Sequence, residues 1–462
     1  MGTTRIEKDA IGELEVPSEV YWGINTQRAI LNFKISGRRF PKEFILALAQ
    51  VKKACLIANV AEKKIDKTLG AAIEKAIDEI LNEGKLLNQF PIDIFQTGSG
   101  TQTNINMNEV LSNRANEILG QPRGTKSPVH PNDTVNASQS SNDVIPSAMH
   151  VSTLSMMRES LLPAIDILRE TLEEKIKQFQ NIVKVGRTHL QDAVPILLST
   201  EFKVYKEQVE SSLVRDLFPA SEGLQLIPIG GTALGTGLNA SKGFAKRAAA
   251  ELSRITGVSF KVNPVQAEGI SSHSAIVRTS AALRSLALTC MKMANDIRWM
   301  GSGPRAGLGE LLLPDNEPGS SIMPGKINPS QSEALIQVCL QVIGNDATIA
   351  AAEGFGSILD LNVTKPVMII NLLDSIRILS AGIKSFTEHC LKGLQVNQEH
   401  ITQQLESSLM IVTRLSPIIG YDKASEIAMK AHLEGKTIRE VIREEGIEIE
   451  NLNELLDPLK MV

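Results

Sequence analysis

From Asp143 to about Gln180 there is scarcely a helix breaker, and Leu161, Ile165, Leu168, Leu172, Ile176 and Phe179 recur at three- and four-residue steps. That spacing draws one apolar stripe along a helix. A helix of about 38 residues would span about 57 Å, well beyond the roughly 8–20 residues of an ordinary globular helix. Comparable patterns cover about 192–218, 266–300, 329–353 and 363–393. Five such helices fit one packing solution well, an elongated bundle with apolar seams. Bundles this long, striped on several faces, bury some of those stripes against other subunits, so a homo-oligomer is predicted. Aromatic residues make up 4% of the sequence, which leaves the seams to aliphatic side chains.

The flanks differ from this middle. Residues up to about 40 are mixed and turn-rich around Val16-Pro17 and Tyr21-Trp22-Gly23, and helical periodicity starts at Pro41-Lys42-Glu43. A Pro/Gly/Asn-rich stretch from Gly120 to Asn142 marks a boundary, and past Gly393 the helices shorten while charge rises. The predicted organisation is mainly α, in three domains: 1–138 mixed and helical, 139–394 a central long-helix bundle, and 395–462 small and helical. A net charge of −4 over 462 residues, with both signs interspersed, offers no basic field for nucleic acid or an anionic membrane surface. No apolar run is expected to reach the roughly 18 residues of a membrane span. The first residues, Met1 to Asp9, show neither a signal-peptide core nor a transit pattern. Cys55, Cys290, Cys339 and Cys390 form no close pair, which argues against a zinc site or a disulfide framework. The expectation is a soluble, cytoplasmic protein.

The most constrained loop is Gly319-Ser320-Ser321-Ile322-Met323-Pro324-Gly325-Lys326-Ile327-Asn328-Pro329. Its glycines and prolines forbid a regular element, and a long helical pattern follows. Pro329 suits the first helical position, Asn328 the N-cap and Gln331 the capping box. The loop thus brings hydroxyls, an ammonium and a carboxamide to the positive end of a helix, where an anion is held. A P-loop is excluded by spacing, since five residues separate Gly319 from Gly325 and Ile327 stands where a magnesium-binding hydroxyl belongs. Gly235-Thr236-Gly237-Leu238-Asn239-Ala240 matches a dinucleotide fingerprint without a convincing βαβ unit around it.

Three further polar stretches interrupt the helical pattern: Thr97–Asn104, Val129–Asp143 and Gly186–Asp192. Together with the loop, they resemble the fumarase/aspartase superfamily, and within it the metal-independent class II fumarate hydratases. Gly319–Pro329 resembles the signature loop. Thr97-Gly98-Ser99-Gly100-Thr101-Gln102-Thr103-Asn104, Ser138-Gln139-Ser140-Ser141-Asn142-Asp143 and Gly186-Arg187-Thr188-His189-Leu190-Gln191-Asp192 resemble the other motif regions, as do Gly301–Arg305 and Leu361-Asn362-Val363.

The resemblance implies a three-domain fold with a central long-helix bundle, a homotetramer with a multi-helix core, and active sites shared between three subunits. It implies no cofactor and no metal, and reversible hydration of fumarate to (S)-malate in the citric acid cycle. Ser320 is then the base that takes the carbon-bound proton. His189 handles the proton of water, and Glu333 orients that imidazole. Ser99, Gly100, Thr101, Ser140, Ser141, Asn142, Thr188, Ser321, Lys326, Ile327 and Asn328 line the dicarboxylate. A second, shallower site is implied at His130-Pro131-Asn132-Asp133. There Lys126-Ser127-Pro128 departs from relatives with a basic residue closer to the histidine, and binding is expected to be weak or absent.

The chemistry is demanding. Lowering a serine pKa by about six units takes roughly 8 kcal/mol of selective alkoxide stabilisation. A helix N-terminus offers up to about 2 kcal/mol, and a lysine at about 4 Å offers about 4 kcal/mol at an effective dielectric near 20. The sum suffices only in a water-poor site, so the loop is expected to close over substrate. Aspartate ammonia-lyase is the nearest rival, but Gln102, Gly325 and Gln331-Ser332-Glu333 lean toward the hydratase. A silent relative of the lens-crystallin type has no need of Ser320, Lys326, Asn328 and His189 together.

Overall fold

The computed structural model describes residues 3–462. The chain forms two compact units, each discontinuous in sequence. One holds everything up to Leu162 with Leu213–Ser285 and Leu340–Ile378; the other holds Pro163–Ser212, Leu286–Cys339 and Leu379–Val462.

The first unit opens with an antiparallel hairpin, β1 (Thr4–Lys8) and β2 (Glu13–Pro17), in the register Thr4↔Pro17 to Lys8↔Glu13. Helices α1 (Ile24–Asn32), α2 (Lys42–Ala61), α3 (Lys67–Leu81) and α4 (Thr101–Ile118) follow. The apolar residues of α2 lie all round it, from Phe44 and Leu48 to Val51 and Leu56, so it is enclosed by α3, by α5 (Ser141–Met156) and by a later helix, Phe244–Thr256. The character of α4 is the opposite. It buries Asn104, Asn106, Asn108, Asn113 and Asn116, and buried amides call for polar partners. Three of them tie irregular backbone to the helix: Asn106 bonds Gln89 O, Asn113 bonds Tyr21 O and Gly124 N, and Asn116 bonds both polar groups of Val129.

The long pattern starting at Asp143 is a helical rod interrupted once. After α5 comes a π-helical turn at Met157–Leu161, then α6 (Leu162–Gln178). Pro163 has no N–H to return to the preceding turn, and the rod widens where that bond is lost.

In the second unit the pattern over 192–218 is not one helix. It begins as strand β4 (Gln191–Leu197), paired with β3 (Val183–Thr188), before α7 (Leu198–Ser211). Val183 to Gly186 of β3 are all buried and β4 buries only Pro195, so neither strand shows the alternation that would set it apart from a helix in sequence. The hairpin packs Val183 and Val185 against Ile401 and Leu405. A separate apolar cluster, including Ile411, Leu415, Ile427, Val441 and Leu456, closes the C-terminal helices.

The remaining helices up to Phe386 are α8 (Phe218–Leu224), α9 (Phe244–Thr256), α10 (Glu268–Ser271), α11 (Ser274–Met300), α12 (Ser330–Gly356) and α13 (Lys365–Phe386). The expectation of no membrane-length apolar run needs correction. By length and composition, Lys42–Ala61, Ser330–Gly356 and Lys365–Leu391 each suffice. Ala, Gly and amide residues spread through them mask the run to the eye. Two-thirds of the α2 window is already buried within the protein, against one-third of the α12 window. The dinucleotide-like glycines lie between the two residues Leu226–Ile227 and their parallel partners Lys261–Val262, and α9 starts only at Phe244, past the fingerprint. The glycine turn therefore does not open directly into a helix, as a pyrophosphate site requires.

Candidate active site

In the first unit, Thr97–Thr101 makes a tight turn into α4, closed by Gly100 N on Thr97 O at 2.8 Å. Gly98 admits no side chain, because a Cβ there would sit 1.6 Å from the carbonyl oxygen of Val363. Gly100 takes a left-handed φ of 76° immediately before the helix. This geometry aligns three hydroxyls: Ser99 Oγ lies 2.7 Å from Thr101 Oγ1, which lies 2.9 Å from Ser141 Oγ.

Ser140 caps α5 in a reciprocal box with Asp143. Ser140 N donates to Asp143 Oδ1 at 2.9 Å, and Ser140 Oγ accepts Asn142 N at 3.2 Å. Asp143 also reaches outward, where its Oδ2 accepts Gly230 N and Thr232 N, both at 2.9 Å. Burial drives the Asp143 carboxyl up to about 7, against the pull of these backbone donors. Asn142 Nδ2 donates to Ala233 O in the same neighbouring loop, at 2.9 Å.

A cavity of about 610 Å³ opens beside these groups, lined among others by Thr101, Asn104, Asn108, Ser140 and Ser141. Both α4 and α5 begin at its wall, so two positive helix ends face one space, with side chains already taking the N–H groups of Thr103 and Asn142. Asn108 has no protein partner for either amide atom, and Asn104 Oδ1 has none. The arrangement suits an anion with several oxygens. Asn132 and Asp133 line the same cavity, which places part of the second predicted site beside the first. There His130 Nδ1 accepts Asn132 N at 3.2 Å and Asp133 N at 3.1 Å, with Pro131 starting the turn. The ring can then offer only Nε2 to a ligand. Lys126 is turned elsewhere, its Nζ donating to Lys8 O at 2.7 Å.

The second unit carries the other predicted residues. In the Gly319–Pro329 loop, Gly319 N donates to Lys326 O at 2.7 Å, and Asn328 Nδ2 donates to Gly319 O at 2.7 Å. A Cβ on Gly319 would lie 2.6 Å from Lys326 O, so the crossing requires glycine. Ser320 Oγ accepts Ile322 N at 3.2 Å and Met323 N at 2.9 Å, two donors suited to an oxyanion. Lys326 Nζ donates to Asn328 Oδ1. Capping and carboxylate binding compete for the Asn328 side chain, and here it is engaged within the loop and does not cap the helix; α12 begins at Ser330, and Ser330 Oγ, expected to complete the cap in its place, turns to Glu317. Ser321 and Ile327 are exposed, as is Glu333.

Thr188 and His189 sit at the tip of the β3–β4 hairpin, where Thr188 pairs with Gln191. The two loop residues, His189 and Leu190, have φ of 58° and 60°. A two-residue turn of this kind favours Asn and Gly, so each side chain here costs about 1 kcal/mol. The hairpin base is rigid by contrast: Glu310, fully buried, takes Arg187 at 2.6 Å and Lys184 at 3.3 Å. Thr188, His189 and Leu190 are exposed, and among the described residues no hydrogen bond or ion pair joins His189 to Ser320 or Glu333.

The coupling of two loops by Asp143 is not anticipated from sequence. Its signal lay only in the spacing from Ser140.

Comparison with known proteins supplies what a single chain does not. Residues 12–344 match a family described as Lyase, and residues 411–462 match one described as Fumarase C C-terminus. The chain is 50% identical over 443 residues to the class II fumarate hydratase of Thermosynechococcus vestitus, covering 96% of this chain and 94% of that protein. It is 49% identical over 438 residues to a mitochondrial fumarate hydratase of Rhizopus oryzae, covering 94% and 88%. The crystal structure of class II fumarase from Schistosoma mansoni superposes with a TM-score of 0.96 at 38% identity, over 99% of both chains.

Proposed function

The chain belongs to the lyase family that includes the class II fumarate hydratases, and from that premise we infer that it adds water reversibly across the double bond of fumarate to give (S)-malate. The observation that carries the reading is the convergence of the α4 and α5 starts on one cavity lined by Thr101 and Ser141, with Ser99 hydrogen-bonded behind Thr101. A dicarboxylate fits it. Full-length likeness to hydratases selects water over ammonia as the added group, and aspartate ammonia-lyase is not favoured.

In this reading, Ser320 removes the proton from the carbon next to a carboxylate, which places a third negative charge on the dianion. The N–H groups of Ile322 and Met323 already point at Ser320 Oγ and would favour its alkoxide. Lys326 and Asn328 bind one carboxylate, and Ser99, Thr101, Ser140, Ser141, Asn142 and Thr188 supply the remaining donors. His189 passes the proton of water on the opposite face, an imidazole being able both to give and to take one. Glu333 orients it.

The same proposal includes a homotetramer whose active sites draw on three subunits. Its support is the surface of α12. Ala334, Leu340, Gly344, Ala347, Ala351 and Phe355 are exposed along it, and among the described residues of this helix only Glu333 is both charged and exposed. A solvated face would carry charge, whereas this one is suited to another copy. The division into 1–138, 139–394 and 395–462 belongs to this proposal, supported at its last boundary by the separate C-terminal apolar cluster. A cytoplasmic location fits four free cysteines.

The test is spectrophotometric. Fumarate absorbance should fall on adding the protein alone; loss only with added ammonium, or no loss, overturns the reading.

A further inference from the structure

One polar stripe on α2 has no part in the chemistry above. This helix is strongly apolar, yet it fully buries Lys52 and Asn59. Seven residues apart, they share one face two turns from each other. Both grip the segment that leads into the α5 cap. Lys52 Nζ donates to Asn136 Oδ1 at 2.9 Å and to Gln139 Oε1 at 3.0 Å. Asn59 Nδ2 donates to Ala137 O at 2.9 Å, and Asn59 Oδ1 accepts Ser138 Oγ at 2.8 Å. Ser138 is held at a left-handed φ of 64°, a conformation that needs such fixing.

Among the described residues, Lys52 forms no ion pair with a carboxylate. A buried ammonium without a counter-charge is costly, and burial lowers its pKa to about 7. Its acceptors Asn136 and Gln139 line the cavity, so the charge lies one side chain behind the wall. The nearest acid is Asp143, whose two oxygens are occupied by the backbone N–H groups of Ser140, Gly230 and Thr232. Cys55, one turn along α2, faces the same ammonium as a buried neutral thiol. A doubly charged ligand in the cavity would complete the balance.

We propose that Lys52 is a positioning and specificity-determining residue for dianion binding, fixing the Asn136–Ser140 turn with Asn59 and lending its charge to the cavity. The inference rests on the dicarboxylate reading of that cavity. Lys52 acts on substrate and transition state alike, so its loss should raise KM and spare kcat. A purely structural role would instead reduce the amount of active enzyme at unchanged KM.

The experiment compares wild type with Lys52→Met, Lys52→Arg and Gln139→Met, each as the intact assembly. The expected result is a KM for fumarate raised about tenfold or more in Lys52→Met, with kcat within about threefold of wild type. Lys52→Arg should recover most of the KM, and Gln139→Met should raise it less. If Lys52→Met does not fold, the Gln139→Met and Lys52→Arg pair carries the test. Unchanged KM in the folded variants overturns the inference, as does a fall in kcat alone. Absence of turnover in wild type would overturn the dicarboxylate reading itself.

Discussion

The two halves of the candidate site are built in opposite ways. In the first unit, Ser99, Thr101, Ser140 and Ser141 are hydrogen-bonded to one another or to a helix start, and the Asp143 carboxylate fixes two loops beside them. In the second unit, Ser320, Lys326 and Asn328 bond mainly within their own loop, and His189 stands on a strained, exposed tip. One half is a finished binding surface. The other presents reactive groups on segments that the chain itself leaves uncovered. On the proposed reading, the chain carries affinity in one region and chemistry in another, and active sites shared between subunits would join them.

The largest expected effect separates the two halves by function. Ser320→Ala should lower kcat by about 10³-fold while fumarate binding persists, and His189→Asn by about 10²–10³-fold. Steady-state kinetics with a binding titration checks both; loss of binding along with turnover would erase the distinction. Next in size, Asp143→Ala leaves the N–H groups of Ser140, Gly230 and Thr232 without an acceptor. The cost should be about 3 kcal/mol or more, since each unmade buried bond costs roughly 1–3 kcal/mol. Denaturant melts should show it, together with a raised KM.

A similar magnitude is expected from pH. Burial lowers the pKa of His150 to about 4 and holds that of His273 well below the usual imidazole value. A group depressed on folding stabilises above its unfolded pKa and loses that contribution as pH falls toward the folded one. For His150 the window runs from about 6.5 down to about 4, and the loss is on the order of 3 kcal/mol. Unfolding free energy should decline across this window, less steeply in His150→Gln. The smallest effect sharpens the contrast at the hairpin. Leu190→Gly should relieve the left-handed turn and stabilise the protein by about 1 kcal/mol. A loss of stability there would mean that the tip is not strained.

Much of this was legible in the sequence, because loops that bind anions carry unusual density of Gly, Ser, Thr and Asn at helix starts. The signature loop, the Ser99 turn and the α5 cap were located by that density alone. The β3–β4 hairpin was not, since Ile196 to Leu198 continue in helical phase with α7 and neither strand alternates buried with exposed residues. Nor was Lys52. It adjoins Lys53, which lies nearer the surface and pairs with Asp78 at 2.6 Å. One step along a helix turns a side chain through about 100°, so two neighbouring lysines met opposite environments. Only phase distinguishes them: Lys52 keeps step with the buried Leu48, Cys55 and Asn59.

The most direct test of a site assembled from different chains is complementation. Inactive Ser320→Ala and His189→Asn proteins would be mixed in equal amounts, dissociated and reassembled. If Ser320 and His189 reach one site from separate subunits, activity should recover to about one quarter of wild type, the share of sites that receive both intact residues at random. Activity that stays at the sum of the two parents would contradict the account.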